Sequence, residues 1–229
     1  MRSGLVTTDS IPVLAAGVGL RHRSRWILRS VSFRMTAHPP DGMLLGIASG
    51  QHATASAMVD LLAGLAQPAH GELRVLGQDL TTAAGRAAVR PHVGVARSAG
   101  QRRSWLRIRG MTEHAARAAR IPGRDRAALA AAILDRLGLT AWADVRLSGA
   151  PRAVGRGARL AAAAVHEPEL LLLDGLLDGL SPPERASVAA SVRELARDTV
   201  IIVAGLDATA LKLTCDEVLT LSDGILAAA

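Results

Sequence analysis

The sequence predicts an α/β fold with a mostly parallel core sheet, an antiparallel β region in the N-terminal part and an inserted helical subdomain. Three observations predict it. Short, fully apolar runs alternate with stretches of helical periodicity, which is the pattern of strand–helix–strand units. One such unit, Met43 to Leu65 (MLLGIASGQHATASAMVDLLAGL), joins an apolar run to a helix through a loop of small polar residues. Between about residues 100 and 165 the strand signals give way to helix signals.

Composition narrows the class. At 229 residues the chain fits one sizeable domain, and 49% hydrophobic residues suffice for a core. Aromatic content is 2% with no tyrosine, so that core is built from Leu, Val, Ile and Ala. The net charge of +7 rests on arginine, Lys212 being the sole lysine. Because the arginines are scattered rather than blocked, a GC-rich codon bias explains them better than nucleic acid does. A single cysteine, Cys215, excludes an internal disulfide and any multi-Cys metal site, and reads as a small buried apolar residue. The first ten residues, MRSGLVTTDS, lack the apolar core of a leader peptide. Charges interrupt every run that approaches the length of a membrane span. The expectation is a cytosolic chain whose membrane role would come through a partner.

Taken in order, Val13–Leu20 and Trp26–Met35 read as two strands joined by a basic turn, and Val31–Met35 alternates as a half-buried strand does. His38–Gly42 is a turn, set by two prolines and a glycine. Met43–Ile47 is a buried strand, followed by the polar loop and a helix carrying Met58, Leu61, Leu62 and Leu65. Glu72–Gly77 and His92–Ala96 are further strands. Helices are expected over Glu113–Arg120, Arg124–Leu137 with Gly138 as C-cap, and Val154–Val165. Glu169–Asp174 is a fully buried strand ending in a carboxylate. Pro182 opens a helix to about Arg197, Thr199–Ala204 is a β-branched strand, Asp207–Leu213 a helix, and Glu217–Leu221 and Ile225–Ala228 close the chain as strands.

Strand, small-residue loop and helix make the frame of a phosphate-binding P-loop, where backbone N–H groups and a helix N-terminus face anionic oxygens. That motif needs G-x-x-x-x-G-K-[ST], and the matching stretch is Ser49-Gly50-Gln51-His52-Ala53-Thr54-Ala55-Ser56. With Leu61–Leu65, Pro68, Gly71–Gly77, Leu134–Leu139, His166–Asp174, Gly179-Leu180-Ser181-Pro182, Cys215–Val218 and Ser222–Gly224 in this order, the chain resembles the nucleotide-binding domain of ABC transporters over essentially its whole length. The fold implied is a P-loop-NTPase-like ABC cassette, with a core of about 1–98 and 166–229 and a helical subdomain of about 99–165.

The resemblance also assigns positions. His22 stands where an aromatic platform for adenine belongs, and residues 49–56 where the phosphate loop belongs, with Ala55 at the lysine and Ser56 at the Mg²⁺-facing hydroxyl. Ser98 takes the Q-loop glutamine position, with Gln101 nearby but out of register. Leu147-Ser148-Gly149 resembles the signature, which Pro151 breaks by lacking a backbone donor. Asp174 is kept at Walker B, Gly175 takes the place of the catalytic glutamate, Ser181 that of the D-loop aspartate, and Ala204 or Gly205 that of the switch histidine.

Ser56 and Asp174 thus read either as Mg²⁺-site relics or as an N-cap and a turn cap; Asp178, Glu184 and Asp207 read as surface charges. Trp105 and Leu106 lie where the family contacts its permease, a core role for Trp105 being the alternative.

No residue is assigned a catalytic role and no resident metal is expected, and ATP and Mg²⁺ binding should be weak or absent. The implied function is a degenerate, non-hydrolytic cassette subunit, a pseudo-ATPase peripheral on the inner face of the cell membrane. Its implied partners are an active ABC ATPase subunit, as a heterodimer, and a transmembrane permease; a homodimer is the alternative pairing. The alternative function is a basic binding or regulatory module acting on nucleic acid or a protein partner.

Overall fold

The computed structural model describes residues 12–36, 43–98 and 105–228. The turn expected at 38–42, the first ten residues and Gln101 lie outside them. An antiparallel hairpin of β1 (Val13–His22) and β2 (Arg25–Met35) leads to β3 (Leu44–Ser49) and helix α1 (His52–Leu62). Next come β4 (His70–Val75), β5 (Gln78–Asp79), α2 (Ala83–Val89) and β6 (Val93–Arg97). Helices α3 (Ile108–Ala118), α4 (Gly123–Arg136) and α5 (Arg152–Ala164) separate β6 from β7 (Leu170–Asp174). The chain then runs through α6 (Pro182–Ala196), β8 (Val200–Gly205), α7 (Ala208–Lys212), β9 (Glu217–Ser222) and β10 (Ile225–Ala228).

Among the described residues, all strands share one ten-stranded sheet in the order β5-β4-β1-β2-β10-β9-β3-β8-β7-β6. From β9 to β6 the neighbours are parallel, whereas β5, β4, β1 and β2 are antiparallel to one another. The expected division between a parallel core and an antiparallel N-terminal part is thus present, and β10 bridges the two by pairing with β2 and β9.

The period of two sorts the strand residues onto two apolar layers. Leu170, Leu172, Ile202 and Ala204 join Met58, Leu61 and Leu62 of α1 on one face. Leu171, Leu173, Ile201 and Val203 join Leu134, Leu160, Val188 and Val192 on the other. Burial on both faces explains why these strands are continuous apolar runs. α5 packs on α3 and α4 and also on β6 and β7, so the helical stretch is joined to the sheet through it.

Several expectations are corrected. The helix of the loop unit stops at Leu62, and Leu65 is 55% exposed. α3 begins at Ile108, not Glu113, because Ile108 is fully buried. His92 belongs to a short 3₁₀ turn with Arg90 and Pro91 rather than to β6. β5 and α2 have no counterpart among the predicted elements. Among the described residues, no helix is long and apolar enough to cross a membrane.

Candidate functional site

Four parallel strands end at one edge, the position where open α/β sheets present their sites. Register places Arg97, Asp174 and Ala204 side by side and pairs Ala48 with Gly205. The loop 49–51 and the start of α1 leave from the end of β3, next to Gly205.

Asp174 is the centre of this edge. Its carboxylate is 3% exposed and both oxygens are taken: Ser56 Oγ donates to Oδ1 at 3.0 Å, and Arg97 Nη1 donates to Oδ2 at 2.8 Å. Arg97 also donates through Nη2 to Asp60 Oδ1 on α1, so one guanidinium spans two carboxylates. His52 Nδ1 lies 3.2 Å from Ser56 Oγ and 3.9 Å from Asp174 Oδ1. Asp174 is therefore not a turn cap, since its side chain binds across the sheet. Ser56 is not an N-cap either: Gln51 is, and Ser56 sits inside α1 facing β7.

The loop itself is closed locally. Ser49 Oγ is buried, accepts the Gln51 N–H at 3.3 Å and donates to the Gln51 carbonyl at 3.2 Å. Gly50, Gln51, His52 and Ala53 are exposed, whereas Thr54 and Ala55 are buried. Ala55 is 1% exposed and offers no donor to the exterior.

Beyond Asp174 the chain turns through Gly175 at φ +63°, and its N–H donates to the Ala204 carbonyl at 2.8 Å. A Cβ on Gly175 would lie 2.7 Å from Ser98 Oγ and 3.2 Å from Asp178 Oδ2. One on Gly205 would lie 3.0 Å from Asp178 Oδ1. The Asp178 carboxylate thus fills the space beside both glycines, where it accepts the Leu206 N–H at 3.0 Å. It is a clasp between the β7–α6 loop and the end of β8, not the surface charge expected. Two glycines at adjacent strand ends were the signal that a neighbouring side chain would fold in.

The same loop is held from outside. Arg156, Arg152 and Arg185 donate to the carbonyls of Asp178, Gly179 and Leu180 at 3.2, 2.6 and 3.3 Å. Burial and neighbouring Arg159 push the Arg156 guanidinium below its ordinary range. Asp207 caps α7 by accepting the Ala210 N–H, and Glu184 closes a capping box with Ser181 that holds its carboxyl below the usual range.

The remaining candidates are elsewhere. His22 is exposed at the end of β1, opposite Arg25. Leu147–Gly149 forms a 3₁₀ turn ahead of α5 whose hydrogen bonds run to Leu106 and Arg146, not to the Asp174 group. Ser148 and Gly149 are exposed, Leu106 is half-buried, and Trp105 is 67% exposed, which removes the core role for it. Cys215 is half-buried, and burial with neighbouring Asp216 pushes its thiol up to about 12, so it is no nucleophile at neutral pH.

The carboxylates of Asp174 and Asp60 would suit a hard divalent cation, but the Arg97 guanidinium already binds both. The residues present do not fit Mg²⁺. Among the described residues, no group of three or more His, Cys, Asp or Glu is placed to hold a metal ion.

A mostly parallel sheet with a strand–loop–helix unit at its carboxyl edge defines a P-loop-NTPase-like architecture. No family model matches the chain. It is 29% identical over 191 residues to the Nod factor export ATP-binding protein I of Neorhizobium galegae, covering 82% of this chain and 53% of that one. It is 26% identical over 201 residues to the methionine import ATP-binding protein MetN of Streptomyces avermitilis, covering 82% and 57%. The chain thus spans little more than half the length of these two relatives. Among solved structures, cbiO1 from Clostridium perfringens, part of the ABC transporter complex cbiONQ, superposes with a TM-score of 0.80 at 17% identity over 96% of this chain and 88% of that one. A nucleotide-free ATP-binding cassette from an ABC transporter gives 0.80 at 13% identity over 96% and 90%. The fold is that of an ABC transporter nucleotide-binding cassette, and the sequence is similar to those of ABC ATP-binding subunits.

Proposed function

We propose that this chain is a non-hydrolytic cassette subunit of an ABC transporter, pairing with an active cassette and docking on a membrane permease at the inner face of the membrane. The observation that carries this reading is the state of Asp174. Arg97 and Ser56 take both of its oxygens, and the next residue is a glycine at positive φ where a general base would stand. Losing one general base costs roughly 10²–10⁴ in rate. Ala55 adds the loss of a phosphate-facing cation, on which phosphoryl transfer depends.

In this reading residues 49–56, Ser98 and Asp174 are the remnant nucleotide edge, His22 its adenine side and Leu147–Gly149 the remnant signature. Exposed Trp105 with Leu106 faces the permease. The division into a core of about 1–98 and 166–229 and a helical subdomain of about 99–165 belongs to the same proposal. The test is ATP turnover by the purified chain, expected at the buffer background and unchanged by Ala55→Lys. Turnover that Asp174→Asn abolishes would overturn the reading.

One observation favours a second reading, a basic module on nucleic acid. The Arg21 guanidinium lies 4.9 Å over the ring of half-exposed Trp26, Arg23 and Arg25 stand at the same end of the hairpin, and no acidic residue lies between Val13 and Thr36. Steep salt dependence of DNA binding, lost on changing these arginines, would select it.

A further inference from the structure

We infer that Arg97 is a built-in cation that takes the place of a divalent metal at Asp174 and keeps the edge of the sheet metal-free. The inference deepens the non-hydrolytic reading by naming what occupies the site.

The geometry is that of an ion in its donor set. Asp174 at the end of β7, Asp60 on α1 and the Ser56 hydroxyl come from two elements that share no sequence neighbourhood, and the Arg97 guanidinium joins both carboxylates. Oxygen donors of this kind take hard cations. The guanidinium binds the two carboxylates instead with N–H donors in a fixed fork, while the Ser56 hydroxyl donates to the other Asp174 oxygen. The guanidinium cannot deprotonate in a protein. β6–β7 pairing sets Arg97 directly beside Asp174, and the Ser98 N–H donates to the Asp174 carbonyl at 2.8 Å, so the fork is aimed by the backbone.

The Asp174 side chain is 4% exposed against 32% for Arg97, so the carboxylate meets the exterior through the arginine. A divalent ion would have to displace a tethered cation or bind against its charge. The occupant is present at unit stoichiometry whatever the metal concentration. A nucleotide arriving with its own metal therefore finds no free oxygen on Asp174.

The test is Mn²⁺ titration followed by the free-ion EPR signal, together with thermal melting in Mg²⁺, on the full chain. The wild type should leave the Mn²⁺ signal undiminished and show no Mg²⁺-dependent shift in Tm. Arg97→Gln should gain a site at least about tenfold tighter, the effect expected from removing a unit charge a few ångströms away. Asp174→Asn in that background should abolish it. Arg97→Met serves where the glutamine variant does not fold, and far-UV circular dichroism identifies which variant does.

Stoichiometric Mn²⁺ binding by the wild type that Asp174→Asn removes would overturn the inference. So would a folded neutral variant that gains no site. A wild type that binds Mn²⁺ through Asp174 yet leaves ATP intact would overturn this inference alone and leave the proposed function standing.

Discussion

The interiors and the ends of the same four strands obey different rules. Inside, β3, β8, β7 and β6 are aliphatic runs whose alternate residues fill two apolar layers, an arrangement the fold requires whatever the chain does. At their carboxyl ends the side chains meet one another: Arg97 meets Asp174 and Asp60, Ser56 meets Asp174, and Asp178 fills the room beside Gly175 and Gly205. The difference teaches that a fold and its site are maintained separately. Packing tolerates few changes, whereas the polar groups at this edge satisfy one another.

Substitutions at the two places measure that difference. The largest effect belongs to the interior: Leu172→Ala, at a position 0% exposed, should cost about 3 kcal/mol in denaturant-induced unfolding. A loss under ~1 kcal/mol would mean the strand interior is no tighter than its end. At the end, Gly175→Glu should cost about 1–2 kcal/mol, because a side chain at φ +63° is strained and would press on Ser98 Oγ. It should also restore no ATP turnover. Unchanged stability with gained turnover would show that the edge still receives nucleotide productively.

Asp178→Asn should be milder, about 1 kcal/mol, with faster amide exchange at Leu206 as the specific readout. Exchange that stays slow would break the comparison by showing that this loop end is fixed by something other than its own carboxylate.

The smallest effect is in pH. Burial lowers the pKa of His166, which sits between α5 and β7, so the unfolded chain binds that proton more readily. Its contribution is present above the ordinary histidine value of about 6.5 and is lost as pH falls below it. His166→Gln should flatten the dependence of Tm on pH below neutrality, and an unchanged slope would assign acid sensitivity to the strand ends.

How much of this was legible follows from the range of each interaction. Leu170–Leu173 and Ile201–Val203 announce themselves because burial on both faces demands local apolar runs. α2 stayed hidden because Gly85 in its middle reads as a breaker; a Cβ there would lie 1.9 Å from the Asp79 carbonyl, so close packing on β5 selects the glycine. Ser56 and Asp174 were singled out by the family resemblance, but their bond to each other was not legible in the sequence. Arg97 has no role in the sequence reading. Its pairing with Asp60 and Asp174 joins residues far apart in sequence and depends on the β6–β7 register. Asp178 was misread for a related reason: its place is defined by side chains that Gly175 and Gly205 lack.

The clasp at Asp178 and the three guanidiniums on the neighbouring carbonyls also bear on how this face would be recognised. A loop so held has its shape before any other molecule arrives. Association there would give up little backbone freedom, the ordering cost that otherwise subtracts from affinity. Encounter would be governed by diffusion and orientation rather than by a waiting conformational step. Any docking on the face between β7 and α6 would therefore be that of a rigid body, with a barrier set by geometry.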